Sequence, residues 1–254
     1  MMSANAQDVV IRINSLSKTY PGSSQPALDN LNLEVARGRI FGLLGPNGAG
    51  KTTTVSIICT LLRPDLGQVE VLGQQVSSAA AAIRHVIGLV PQEIALYPTL
   101  TIRENLCYFA RVLGVDKGRR AERIAACLDL VGLAEVAQRR IDRCSGGMKR
   151  RANLAVGILH QPQILLLDEP TVGIDAQSRN LILEQLRELN RQGMTLLYTT
   201  HYMREAEEIC DEIAIIDTGH VVAQGAPRQL IAGNPACESL EDLFLALTGK
   251  ALRE

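Results

Sequence analysis

The sequence of 254 residues predicts an α/β fold with a mostly parallel sheet, an N-terminal antiparallel β-subdomain and an inserted α-helical lobe. Three observations predict it. Short apolar runs bounded by turn residues alternate with helical patterns over much of the chain, as in βα units. The run Ile164-Leu165-Leu166-Leu167 carries no polar alternation, which suits a strand buried on both faces of a parallel sheet. From Thr101 to about residue 160 the apolar period turns helical.

The elements follow in order. Residues 9–13 and 31–35 contain strand-like alternation, with Pro21-Gly22 as a turn between them. Residues 40–44 run into a glycine-rich turn, and a helix is expected over 51–62. Residues 69–72 and 87–90 read as strands. Thr101-Ile102-Arg103-Glu104 is a capping box, after which Ile102, Leu106, Phe109 and Leu113 share a helical face. A second helical pattern spans about 119–130. Beyond the buried strand come a helix over 175–192, a strand over 195–199, and two strands flanking the hairpin turn Asp217-Thr218-Gly219-His220. Residues 227–254 read as a helical tail. The expected organisation is one domain: a core of about 1–92 and 161–226, a helical lobe of about 93–160, and the tail. There is no internal repeat, and the one biased tract is the alanine run 79–82.

Composition narrows the class. Apolar residues make up 46% and aromatics 3%, so the core is built from Leu, Ile, Val and Ala. A net charge of −1 without a long basic block argues against nucleic acid as a partner. Residues 1–7 lack a basic stretch followed by an apolar one, so no signal peptide is expected. No run approaches the roughly 18 apolar residues of a membrane span, so the chain is expected to be soluble or held at a membrane by partners. The six cysteines form no CxxC pair and no zinc spacing, and read as reduced core thiols of a cytosolic protein.

Gly45-Pro46-Asn47-Gly48-Ala49-Gly50-Lys51-Thr52 fits G-x-x-x-x-G-K-[ST], follows an expected strand and opens an expected helix. Glycines let backbone N–H groups curl around phosphate oxygens, and the helix N-terminus adds positive partial charge. Lys51 suits the β- and γ-phosphates of a nucleoside triphosphate, the Thr52 hydroxyl suits Mg²⁺, and Thr53 belongs to the same binding turn. The core is therefore expected to be of the P-loop NTPase type. Asp168 and Glu169 leave the carboxyl end of the buried strand, where open α/β sheets bind ligands. Asp168 suits Mg²⁺, directly or through water, and Glu169 suits polarisation of an attacking water.

Cys144-Ser145-Gly146-Gly147-Met148-Lys149-Arg150-Arg151 precedes that strand. On physics alone Ser-Gly-Gly is either a plain helix cap or an anion-binding helix start. In this company it resembles the signature motif of ATP-binding cassette (ABC) ATPases, commonly Leu-Ser-Gly-Gly-Gln. Residues 145 to 147 match; Cys144 and Met148 depart from the common form. Met followed by basic residues is similar to the drug- and antibiotic-exporter branch, as is the tail segment 239–249. The resemblance covers nearly the whole chain in family order. It implies that Tyr20 stacks on adenine, that Gln92 is the Q-loop glutamine touching metal and water, that Asp175 is the D-loop aspartate (and a helix cap as well), and that His201 is the switch histidine at the γ-phosphate.

The resemblance further implies two cassettes, expected as a homodimer, facing head to tail with ATP between the phosphate loop of one and Ser145–Gly147 of the other. It implies an integral membrane permease docked on the helical lobe, placement on the cytoplasmic face of a membrane through that permease, and export as the direction, supported by the absence of an added domain after residue 254. Alternatives are an importer subunit, or a soluble ABC ATPase not coupled to transport. Against the coiled-coil DNA-repair type stands the short interval, about fifty residues, from Gln92 to Ser145.

Overall fold

The computed structural model describes residues 9–249. Residues 1–7, considered above for a signal peptide, and the last residues of the expected tail lie outside them. In chain order the elements are β1 (Val9–Lys18), β2 (Leu28–Ala36), β3 (Ile40–Leu44), α1 (Lys51–Ile58), β4 (Leu66–Val71), β5 (Gln74–Gln75), α2 (Ala80–Val86), β6 (Ile87–Val90), α3 (Ile102–Val112) and α4 (Arg120–Leu130). After two short 3-10 turns follow α5 (Gly146–Gly157), β7 (Ile164–Asp168), α6 (Ala176–Arg191), β8 (Thr195–Thr200), α7 (Met203–Ile209), β9 (Glu212–Asp217), β10 (His220–Gly225), α8 (Pro227–Ala232) and α9 (Leu240–Thr248).

The chain forms two compact units, one running through Arg84 and resuming at Thr195, the other His85–Met194. In the first, β1 lies antiparallel between β2 and β4, with β5 beyond β4. Alternation explains this sheet: Ile13, Leu16, Leu31, Leu33 and Val35 are buried while their neighbours are exposed or half-buried. The same unit holds a mixed arrangement in which β3 is parallel to β8 and to β9, and β10 pairs antiparallel with β9 through the expected hairpin. All five residues of β3 and all six of β8 are buried; β3 carries no polar side chain, while β8 buries Thr195, Thr199 and Thr200 beside Leu196, Leu197 and Tyr198.

In the second unit β6 and β7 are parallel neighbours, and residues 93–160 hold α3, α4 and α5. The capping box at Thr101 forms as expected, each partner bonding the other's backbone N–H. The inward face of α3 is Ile102, Asn105, Leu106 and Ala110, with Phe109 and Leu113 only half-buried. Asn105 is a polar residue on that face because its side chain bonds the N–H and carbonyl of Tyr97. Close packing of β6 on α5 requires glycine twice: a Cβ at Gly88 would stand 2.2 Å from the Gly157 carbonyl oxygen, and one at Gly157 would stand 2.7 Å from Val90.

Three expectations are corrected. The helix expected over 51–62 ends at Ile58, because Thr60 turns left-handed (φ 62°) and leaves Leu61 exposed. The short helices α2 and α7 were not anticipated, each contributing too few apolar residues for a clear period. The helical tail is broken between α8 and α9 around Gly233-Asn234-Pro235. All the cysteines but Cys107 are buried, as expected of core thiols.

Helices α4 and α5 cap one another. Arg123 of α4 donates to the Ile158 and Leu159 carbonyls at the end of α5, at 3.1 and 3.3 Å. Arg151 of α5 donates to the Val131 and Gly132 carbonyls at the end of α4, at 2.8 and 3.0 Å. Each cation satisfies carbonyls that a helix end leaves without intrahelical partners and opposes the negative end of the macrodipole. The Arg123→Met variant keeps the apolar stem and loses the cap. It is expected to lower resistance to urea unfolding by about 1–2 kcal/mol, with nucleotide affinity unchanged.

Candidate functional site

The phosphate loop is the corner between β3 and α1. Leu44, the last residue of β3, pairs with Thr200 of β8 and Ile215 of β9. The loop leaves a strand fixed on both sides. Gly45 cannot carry a side chain, since its Cβ would meet the Ile216 carbonyl oxygen at 2.3 Å. Gly50 adopts φ 109° and lies so close to Ala27 that a Cβ would stand 2.6 Å from that carbonyl. The turn of the β9–β10 hairpin braces the loop from below, Gly219 donating its N–H to the Ala49 carbonyl at 3.1 Å and accepting from Asp29 at the start of β2. Pro46 is half-buried, while Asn47 and Gly48 are exposed.

No side chain caps α1, whose N-cap is Gly50. Its first N–H groups therefore fit an external anion, the property a triphosphate needs. Lys51 is buried at 4% exposure and donates to the Gly45 and Pro46 carbonyls at 2.8 and 3.1 Å, which holds its ammonium over the loop. Thr52 is exposed and Thr53 buried. The Tyr20 hydroxyl lies 3.2 Å from that of Thr53, so the half-exposed Tyr20 ring stands beside the loop. His201 follows β8 directly, and the Leu44–Thr200 register sets it at the same sheet edge as Gly45. Its ring leans on Tyr202 with centroids 4.2 Å apart.

In the other unit the register Val90–Leu167 sends Pro91-Gln92 and Asp168-Glu169 out from one edge. Asp168 and Glu169 are each 4% exposed. Glu169 takes a left-handed backbone (φ 47°), uncommon for a residue with a side chain. Gln92 donates from Nε2 to Glu169 Oε2 at 3.3 Å, so the structure brings together two of the residues singled out by sequence.

Ser145 caps α5, its hydroxyl accepting from the Met148 N–H at 3.3 Å. Asp175 caps α6, accepting from the Ser178 N–H at 2.9 Å and the Ser178 hydroxyl at 2.7 Å. These two bonds hold the Asp175 carboxyl below the usual carboxylate range. The two helix starts touch: a Cβ on Gly147 would lie 2.1 Å from Ser178 Oγ and 2.5 Å from its Cβ. Sequence reasoning had no use for Ser178. It also passed over Asn153 and Arg150. Asn153, 2% exposed, bonds the Pro91 and Glu93 carbonyls and accepts from the Ala95 N–H. An asparagine between Ala152 and Leu154 on a buried helix face was the available signal.

Comparison with known proteins agrees with this arrangement. The family model described as ABC transporter matches residues 28–172, more than half the chain. The chain belongs to the ABC transporter family. This ABC cassette is 45% identical to the linearmycin resistance ATP-binding protein LnrL of Bacillus subtilis (strain 168), over 96% of its own length and 76% of that protein. It is 40% identical to the Nod factor export ATP-binding protein I of Paraburkholderia xenovorans (strain LB400), over 92% of its length and 76% of that protein. A solved dimeric, post-hydrolysis state of an ATP-binding cassette bound to ADP and Pi superposes with a TM-score of 0.78 at 28% identity, covering 85% of this chain and 98% of that one. The expected fold class holds, and the chain is an ATP-binding, ATP-hydrolysing subunit of an ATP-driven transporter.

The contact of Gly147 with Ser178 yields a test. Gly147→Ala forces Ser178 aside and breaks its bonds to Asp175, so nucleotide-dependent turnover is expected to fall at least about tenfold. The added change Ser178→Gly removes the obstacle and lets the residue-178 N–H return to Asp175, though without the hydroxyl bond, and is expected to restore part of the rate, measured as phosphate release.

Proposed function

We propose that this cassette drives export of a drug-, antibiotic- or lipid-like molecule through a separate integral membrane permease, working as a head-to-tail pair. The observation that carries export is the 45% and 40% identity, over nearly the whole chain, to proteins named for linearmycin resistance and Nod factor export. No helix among the described residues is long and apolar enough to cross a membrane, and we assign the translocation path to the permease. The cassette then sits on the cytoplasmic face. The exposed Tyr97, Tyr108 and Val112 of the helical lobe, with the Tyr97 and Tyr108 rings packed edge to face at 4.9 Å, supply a surface for it.

The roles follow from the chemistry of each group. Backbone N–H groups of the loop from Gly45 through Lys51, with the start of α1, bind the phosphates, and Lys51 neutralises the β- and γ-phosphates. Tyr20 offers its ring to the adenine. Thr52, Asp168 and the side-chain oxygen of Gln92, whose nitrogen is given to Glu169, each offer an oxygen of the kind Mg²⁺ takes, and the ion when bound would offset charge on the phosphates. Glu169 polarises the attacking water and His201 holds the γ-phosphate. One loop covers one side of that phosphate. The helix start at Ser145-Gly146-Gly147 of a second cassette, positioned by Asp175, completes the cage.

Mixing two dead variants tests the pair. Lys51→Ala and Ser145→Arg each spoil both sites of a homodimer, but the mixed dimer has one site with both residues intact. A random mixture is about half heterodimer, so activity is expected to return to about a quarter of wild type by counting sites. Wild-type chains mixed with each variant control for exchange and one-site turnover. With those controls working, a mixture that stays dead refutes the composite site. The permease surface is tested by Tyr108→Glu, which is expected to abolish co-purification with an integral membrane protein while leaving ATP affinity within about twofold.

A further inference from the structure

Arg150 stands just past the first turn of α5, outside any role assigned above. Its guanidinium reaches in two directions. Nη1 donates to the main-chain carbonyl of Gln92, and Nη2 donates to the Val172 carbonyl at 3.0 Å. Val172 closes the turn that follows β7, donating its N–H to the Glu169 carbonyl at 3.3 Å. The fork therefore ties the backbone of Gln92 to the turn that begins at Glu169. Those are the two residues whose side chains meet at 3.3 Å.

We propose that Arg150 is a positioning residue for hydrolysis, fixing Gln92 and the left-handed Glu169 relative to one another from the helix that Ser145 begins. The proposal rests on the reading of Glu169 as the group that polarises water. Three observations support it. A left-handed non-glycine residue such as Glu169 persists only where its surroundings over-determine it, and the turn bond from Val172 together with the Arg150 bond does so. The planar fork suits two separate carbonyl acceptors, which a single ammonium would serve less well. Asn153 holds the carbonyls on either side of Gln92, at Pro91 and Glu93, so Arg150 completes a clasp from α5 on three consecutive residues.

Steady-state and single-turnover hydrolysis test this in four chains: wild type, Arg150→Met, Glu169→Gln and the double variant. Arg150→Met is expected to lower kcat about tenfold with KM changed less than about twofold, because misplacement acts on the reacting geometry. In the Glu169→Gln background the same change is expected to lower the single-turnover rate less than about twofold, since there is no carboxylate left to position. Arg150→Lys keeps the charge and one donor group and is expected to recover part of the rate. A structural role alone would cut both backgrounds equally, and that result overturns the proposal, as does an unchanged kcat in both Arg150 variants. If Arg150→Met does not fold, as judged by thermal melting, Arg150→Lys in the two backgrounds decides by the same comparison. A Glu169→Gln chain with wild-type turnover would instead overturn the reading of Glu169 itself.

Discussion

A triphosphate carries several charges in a small volume, and a protein that holds it must present many donors without burying a side-chain charge it cannot compensate. The corner between β3 and α1 meets this constraint with backbone. The strand is buried on both faces, so its end is rigid, and the helix begins at a glycine, so no side chain takes the N–H groups for itself. The absence of side chains at Gly45 and Gly50 is enforced on both sides, by Ile216 and by Ala27. Neighbouring parts of the first unit are spent on this corner: the β9–β10 turn bonds Ala49, β2 begins against Gly50, and Tyr20 reaches Thr53. The Lys51 ammonium rests on the carbonyls of the loop it serves.

The same economy recurs at the start of α5, with a different cap. There Ser145 does use its side chain, on the Met148 N–H, and the helix start is set against that of α6 through Gly147 and Ser178. Two capped helix starts in contact, one Ser-headed and one Asp-headed, give a surface of opposite partial charges: N–H groups and hydroxyl on one side, the Asp175 carboxylate on the other. Asp175 stays ionised in that place because Ser178 donates to both of its oxygens.

What was legible in sequence follows from how local each cause is. The all-apolar run of β7 and the glycines of the phosphate loop are local statements about burial and backbone angle, and both elements form where those patterns place them. The capping box at Thr101 is equally local. The end of α1 was not legible, because Leu61 and Leu62 continue an apolar run while the left-handed Thr60 stops the helix. Nor was Arg150, since its partners are carbonyls at Gln92 and Val172, and a backbone carbonyl leaves no trace in residue identity. Gln92 itself was singled out by family order alone, and its contact with Glu169 was not read from the sequence; the β6–β7 register supplies the physical cause of that contact.

Helix α5 joins these causes. Its first turn rests on α6, Arg150 and Asn153 hold the segment around Gln92, and Arg151 holds the end of α4. Gly157, at the far end, lets β6 approach within van der Waals reach, so the strand and the Gln92 segment that follows it are fixed to the same helix at two points. A helix attached in this way cannot shift at its N-terminus without loading the bonds along its length, because close-packed interiors deform little. A force applied at Ser145 is thus transmitted within one unit to Gln92 and, through Arg150 and Val172, to the turn that carries Glu169. The path consists of hydrogen bonds of about 3 Å and contacts between glycines, with no long flexible side chain in series except Arg150. That makes Arg150 the compliant link, and the residue whose replacement would separate engagement of the signature helix from positioning of the carboxylate.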